Sequence, residues 1–387
     1  MEIRDLTPDD IDAMLDVRRR SFGPVPPAER ESWRALATPD LNGGRYLGVF
    51  DGGRLAGAAR VRGFTQWWHG RPQPLAGVAA VTVNPEYRGR GVGTMLMRAV
   101  VGRAAELGDA VSALYPATTP VYRATGYEHA GAQHLVTIPT EALRTIRPSG
   151  DVPVRRMDAR DAAEVVALLH RLHGEARASG PISRDERTWA HWLGREDDFL
   201  YLAPDGYAVY RWDGDRMRVD NLVAGSEETA RALWSLVGSA SSVAKTVTAV
   251  LAPDDPVRWL LRERSEEEVT MVRWMFRVID VAAAVERRGF PAGATLDTTV
   301  EVEDPVRPGN TGRWRITVSG GRGEAKALSA DAGAGAGPAL GINGLSALYA
   351  GIPTATLRRS GLLSGDDAHD EALDTAFAAQ PYMLDYF

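Results

Sequence analysis

NPEYRGRGVGTMLMRAVV, Asn84 to Val101, is the stretch on which the reading of this chain turns. It follows the apolar run AGVAAVTV at Ala76 to Val83, sets Gly89, Gly91 and Gly93 among Arg88 and Arg90, and then becomes amphipathic from Val92 to Ala105. The run is short, β-branched and apolar on both faces, as a buried central strand should be. A loop that leaves such a strand and opens a helix has the helix's first N–H groups free at the positive end of its dipole. Glycines let a ligand approach that main chain closely, so the loop suits an anion, with the two arginines adding charge. The same glycines would also serve a tight strand-to-helix turn with no ligand. Pro85 cannot continue a ladder, which ends the strand where a ligand begins. A Walker loop is excluded because no lysine is present here, and the dinucleotide fingerprint because the glycines stand at the wrong spacing.

Composition narrows the class. At 387 residues, 44% of them hydrophobic, the chain predicts two or three globular domains. It has no cysteine, which excludes disulfides, thiolate metal sites and a cysteine nucleophile. The acidic N-terminus and the lack of any 18-residue apolar run predict a cytoplasmic protein with no membrane partner. A net charge of −6 argues against nucleic acid and favours a small cationic ligand. There is no Gly-x-Ser-x-Gly elbow; His170 and His173 lack companion ligands and read as a solvated helix face, so no metal is expected.

Strands and helices alternate along the first part. Glu2 to Asp5 reads as a strand, Pro8 to Arg20 as a helix capped by Thr7, Arg45 to Val61 as a hairpin around Asp51-Gly52-Gly53. After the central strand, loop and helix come a strand at Ala110 to Tyr115, a short helix near Pro120 and a last strand near Tyr127 to Ile138. A linker near Pro148-Ser149-Gly150 precedes a repeat of the beginning. Ile3-Arg4, Leu6, Asp10, Met14 and Val17 are echoed at one offset by Val154-Arg155, Met157, Asp161, Val165 and Leu168. The second copy has Asn221-Leu-Val-Ala-Gly-Ser226 where the first has its glycine loop, and a lost loop implies a lost ligand. Strands around Tyr207 to Val223 and Val269 to Ile279 continue the parallel. From about Val281 a third, smaller unit begins: strands at Ala294 to Glu303 and Arg313 to Ser319, a glycine-alanine surface loop at Asp331 to Gly337, and helices near Ile342 to Tyr349, Thr354 to Arg359 and Asp370 to Ala379. The fold class is mixed α/β throughout, with tandem α/β folds and a small α/β domain.

Arg88-x-x-Gly91-x-Gly93 resembles the Arg/Gln-x-x-Gly-x-Gly/Ala loop of the GCN5-related N-acetyltransferases, the GNAT superfamily. The order of the three parts resembles the Eis-like (enhanced intracellular survival) acetyltransferases of actinobacteria, through Val81-Thr-Val-Asn-Pro85, the loop, Val121-Tyr-Arg-Ala-Thr-Gly-Tyr127, Pro204 to Arg211, Val281 to Gly289, Leu345 to Gly351 and the final Phe387. That resemblance implies a catalytic GNAT domain at 1–147, a second GNAT-like domain at 148–280 without the pyrophosphate loop, and a sterol-carrier-protein-like domain at 281–387. It implies acetyl-CoA as cosubstrate, held by Val81, Thr82 and Val83 along its pantetheine arm and by Arg88, Gly89, Arg90, Gly91, Val92, Gly93 and Thr94 at its diphosphate. It implies Tyr122 as general acid, a phenol of pKa near ~10 serving a thiolate of pKa near ~8.5. It implies the α-carboxylate of Phe387 as general base; the apolar ending Pro381-Tyr-Met-Leu-Asp-Tyr-Phe387 is unlike a frayed polar tail, although a tail that simply completes a core has the same character. An amine pocket walled by Trp33, with Phe22 and Glu29 nearby, aminoglycosides as acceptors and a homohexamer follow from the same resemblance. Trp67-Trp68-His69 is expected in a loop between strands, lining the entrance or packing the surface. The competing function is a non-catalytic binder of acyl-CoA and an apolar ligand.

Overall fold

The computed structural model describes residues 1–262, 268–329 and 337–387; the expected glycine-alanine loop lies outside these apart from Gly337. The first part runs β1 (Glu2–Asp5), α1 (Ile11–Phe22), α2 (Arg30–Asn42), β2 (Tyr46–Asp51), β3 (Arg54–Trp68), β4 (Arg71–Val83), α3 (Val92–Glu106), β5 (Val111–Leu114), α4 (Pro120–Arg123) and β6 (Glu128–Pro139). The second runs α5 (Thr140–Leu143), β7 (Arg155–Arg156), α6 (Ala162–Glu175), β8 (Ile182–Ser183), α7 (Glu186–Leu193), β9 (Phe199–Ala203), β10 (Gly206–Asp213), β11 (Arg216–Ala224), α8 (Glu227–Gly238), β12 (Thr246–Leu251), α9 (Val257–Leu260) and β13 (Glu268–Val278). The third runs α10 (Val281–Arg287), β14 (Leu296–Glu303), β15 (Gly312–Ser319), β16 (Arg322–Ala327), β17 (Pro338–Gly341), α11 (Ile342–Tyr349), α12 (Thr354–Arg359), β18 (Leu363–Gly365) and α13 (Asp370–Phe377).

The repeat is visible in atoms. Arg4 pairs with Asp10 at 2.8 Å and Arg155 with Asp161 at 2.9 Å, and each aspartate accepts a backbone N–H three residues upstream, from Thr7 and Asp158. That capping delays the first helix, which opens with a short 3₁₀ turn at Pro8–Asp10. The copies share one sheet, ordered β1-β2-β3-β4-β5-β13-β6-β12-β11-β10-β9-β7 among the described residues. Each copy's last strand crosses over: β13 lies antiparallel to β5, and β6 antiparallel to β12. The third part forms its own sheet, β16-β15-β14-β17-β18. It is joined to the shared sheet by a core in which Trp68, Leu75 and Phe276 pack with Val281, Leu345 and Tyr349. A buried ion pair, Arg277 Nη2 to Asp304 at 2.8 Å, crosses the same junction.

Two expectations are corrected here. Trp67 and Trp68 are the buried end of β3, which extends fifteen residues because it pairs with β4 as far as Trp68 opposite Arg71, while the distant strand β8 pairs with it at Thr65 and Gln66. The Trp68 ring rests 5.4 Å from Phe276 and 5.0 Å from Tyr349. His173 belongs to no solvated face: it is 3% exposed, with its ring 5.0 Å from Trp67, while His170 is exposed.

Candidate active site

The site is a fork in the sheet. β4 pairs parallel with β5 only over Leu75, Ala76 and Gly77, yet it runs on to Val83 alongside β3. Past Gly77 the β5 side of β4 therefore has no strand partner among the described residues, and its peptide groups are open to a ligand. Within this stretch the β3–β4 register slips between Ala58 and Arg60, so that Ala80 and Val81 face one residue, and Ala80 takes φ of +51°. Such a bulge turns the edge and re-aims its peptide groups.

The glycine loop sits at the end of this edge. Asn84 ties the strand end down, its Nδ2 donating to Leu55 O at 2.9 Å and its N–H to Ala56 O at 2.9 Å. Gly89 and Gly91 have φ of +74° and +80°, where L side chains are strained, and open space surrounds the position of a Cβ at each. Gly91 is the N-cap of α3 and offers no side chain to its N–H groups, whereas Asp185, Ser226 and Asp280 cap α7, α8 and α10 with their own oxygens. An uncapped fifteen-residue helix behind two exposed arginines is a ready anion site. Arg90 lies over the Tyr87 ring, 5.1 Å from its centroid, with the carboxylate of Asp51 at 4.0 Å, and Arg88 reaches back to Val83 O at 3.4 Å.

α4 seats against the first turn of α3, where Val121 Cγ2 lies 3.5 Å from the position of a Cβ on Gly93, an ordinary contact distance. This brings Tyr122 beside the loop. Tyr122 is buried, and burial, with Tyr386 adding to it, raises its pKa and keeps the phenol protonated. Tyr127 is a core tyrosine whose hydroxyl is shared with Ser112 at 2.8 Å.

The tail reaches the same fork. Leaving α13, the chain passes His69, whose Nε2 donates to Ala378 O at 2.6 Å, and bridges to β6 at Tyr382. Gln133 then donates to Leu384 O, Tyr115 to Asp385 O, and Arg184 to Tyr386 O, at 3.0, 3.0 and 3.1 Å. Tyr386 stacks on Tyr115, with centroids 4.3 Å apart, and the Phe387 ring lies 4.8 Å from Phe64 and 5.5 Å from Tyr115. A Cβ on Gly77, the last paired residue of β4, would come within 3.1 Å of the Phe387 ring. Of the residues read from sequence, the loop, Tyr122 and Phe387 thus converge on one fork. Phe22 and Glu29 are exposed on α1 and at the start of α2, and Trp33 is half-buried on α2. Sequence reading missed Phe64 and Tyr115 against the Phe387 ring, and Arg62 and Arg184, whose guanidinium groups lie over the Phe64 ring. One signal was available: Arg60, Arg62 and Phe64 alternate along β3 and so share a face.

The second copy lacks this equipment. Ser226 accepts from Thr229 N and closes the α8 N-terminus, and the cleft beside β11 carries Glu175, Asp254 and Asp255, which repel a diphosphate. Among the described residues no group of three potential ligands is placed to hold a metal, and no helix is long and apolar enough to cross a membrane.

A splayed parallel pair with a glycine loop at an uncapped helix defines the class, an N-acetyltransferase. Family comparison agrees: residues 2–130 and 180–278 each match an acetyltransferase (GNAT) domain and residues 281–384 a sterol carrier protein domain. An uncharacterized N-acetyltransferase of Streptomyces avermitilis is 31% identical, covering 90% of this chain and 91% of its own. The crystal structure of a GCN5-related N-acetyltransferase from Kribbella flavida is 45% identical and superposes with a TM-score of 0.96, over 100% of this chain and 98% of that one. N-acetyltransferase Eis of Mycobacterium bovis is 28% identical, over 96% of each chain. The chain belongs to the GCN5-related N-acetyltransferase family. Within it the chain is Eis-like, two GNAT domains followed by a sterol carrier protein domain.

Proposed function

We propose that this enzyme transfers an acetyl group from acetyl-CoA to the primary amine of a small molecule by direct attack, with both substrates bound together. The observation that carries the reading is the convergence of the uncapped α3 N-terminus, the free edge of β4, Tyr122 and Phe387 on one fork. The N–H groups of Val92, Gly93 and Thr94, shaped by Gly89 and Gly91 and flanked by Arg88 and Arg90, suit the diphosphate; the open peptide groups of Val81, Thr82 and Val83 suit the pantetheine amides. Bound acetyl-CoA supplies a thioester carbonyl and a thiolate leaving group. The α-carboxylate of Phe387 takes the proton of the attacking nitrogen, and Tyr122, held protonated by burial, gives its own to the departing sulfur. The new C–N bond replaces the C–S bond, and no acetyl group passes through the protein.

The test is CoA release over a panel of primary amines, aminoglycosides and polyamines included, with intact mass taken during turnover. CoA release without an acetylated protein on the reaction path is expected. A kinetically competent acetyl-enzyme overturns direct transfer. Binding of acetyl-CoA without release across the panel favours the non-catalytic binder. The homohexamer implied by family resemblance is checked by light scattering, where a monomer at micromolar concentration refutes it.

A further inference from the structure

The acceptor side of the fork has a charge that the sequence did not suggest. β3 turns Arg60, Arg62 and Phe64 to the face covered by α2, and these line a cleft closed by Asp40 of α2 and by Arg184 and Arg187 ahead of and within α7. Phe64 is also the side chain against Phe387, so the cleft adjoins the proposed base. Four arginines there face two aspartates, and both aspartates are engaged: Asp40 accepts from Arg60 Nε at 2.7 Å, and Asp185 caps α7 through Thr188 N at 2.7 Å. Among the described residues no acid stands within ion-pair distance of Arg62, and burial, with Arg184 and Arg60 nearby, pulls its pKa down to about 9. Arg184 is 3% exposed. Its Nε and Nη2 are spent on Asp385 and on Tyr386 O, and its Nη1 is buried without a partner. A buried guanidinium nitrogen without an acceptor, beside a second guanidinium without a carboxylate, is a costly arrangement that an oxyanion relieves.

We propose that the acceptor is an anionic amine, a small molecule carrying a carboxylate or phosphate that Arg62 and Arg184 hold while its primary amine meets the Phe387 end of the cleft. The inference rests on the acetyl-transfer reading of the same site. It replaces the polycation expected from net charge, because the side chains lining the cleft act on the acceptor at short range and the remote acidic surface is screened.

The test compares kcat/KM for amino acids and ω-amino acids of two to six carbons, the matching aminoalkylphosphonates, the methyl amides of the same acids, and spermidine. The carboxylate and phosphonate arms identify which oxyanion is preferred. Charge-assisted hydrogen bonds of this kind predict an advantage of about 10- to 100-fold for the best anionic acceptor over its neutral amide, and a loss of most of that ratio in Arg62→Gln. Calorimetry of the N-acetylated acids with the CoA-bound protein gives a readout without turnover, and about tenfold weaker binding is expected in Arg62→Gln. Preference for the amides or spermidine overturns the proposal. So does an equal loss on acid and amide in Arg62→Gln, which assigns the arginine to the tail, and so does a failure of every acid both to be acetylated and to bind. Acetylation of neutral amines or spermidine alone leaves the transferase reading standing while this inference falls.

Discussion

Gly77→Ala offers a one-methyl test of the contact between fork and tail. The added Cβ falls 2.2 Å from Phe64 Cε2, 2.5 Å from its Cδ2 and 3.1 Å from Phe387 Cε2. Carbon contacts settle near ~3.5 Å, so the Phe64 ring must yield by roughly 1.3 Å. It has nowhere easy to go, because Phe387 lies 4.8 Å from it and the Arg62 and Arg184 guanidinium carbons lie 5.2 Å from its centroid. The displacement passes to Phe387. Overpacking of this kind costs about 1–3 kcal/mol, and misplacing a reacting group by about 1 Å costs on the order of 10²-fold in rate. The backbone at Gly77 has no positive φ, so strain there does not confuse the result. The assay is thiol release for kcat, with calorimetry for acetyl-CoA and a melting curve beside it. We expect kcat to fall about 10- to 100-fold and the acetyl-CoA Kd to stay within about threefold, since the α3 loop is untouched. A lower melting temperature with kcat intact would refute the placement of the reaction beside Phe387.

Tyr122→Phe removes the proton donor and should lower kcat about 10²-fold or more with acetyl-CoA affinity retained, and the alkaline limb of the pH–rate profile should change with it; an unchanged profile denies Tyr122 the role. Gly91→Val puts a β-branched residue at φ +80°, a strain of about 1–3 kcal/mol that should raise KM for acetyl-CoA about tenfold, read by initial rates, while kcat is largely kept; a selective loss of kcat contradicts the assignment of this loop to binding. Burial pushes His173 down to about 4 from 6.5, so its stabilising contribution is present above pH 6.5 and is lost as pH falls toward 4, where the unfolded chain binds the proton first. Between pH 7.5 and 5 the wild type should therefore lose about 2 kcal/mol more than His173→Leu in denaturation midpoints, and parallel losses exclude the histidine as the cause.

Local chemistry was legible in the sequence and long-range placement was not. The loop could be read because its meaning lies within ten residues: glycines at positive φ, a helix without a cap, and arginines between them. The duplication could be read because Arg4–Asp10 and Arg155–Asp161 are each closed within seven residues. α2 escaped because Pro24, Pro26 and Pro27 precede it and Pro39 sits inside it, which masks its periodicity. Trp67 and Trp68 read as a loop, whereas the hairpin with β4 carries β3 to Trp68 and turns only at His69 and Gly70; the further cover at Thr65 and Gln66 comes from Ile182 and Ser183, over a hundred residues on. The exchange of β6 and β13 has no local signature. The arginine cleft has no local signature either: Arg62, Arg184 and Asp385 come from three distant segments.

The proposal that a terminal carboxylate serves as base is tested most directly at the end of the chain. Appending a short glycine-serine extension after Phe387 moves the charge while leaving the Phe387 ring, Tyr386 and Arg184 free to keep their contacts. With the preferred acceptor saturating, the account predicts a fall in kcat of about 10²- to 10⁴-fold with the acetyl-CoA Kd unchanged. Full kcat in the extended protein, with acetyl-CoA binding equally intact, contradicts it.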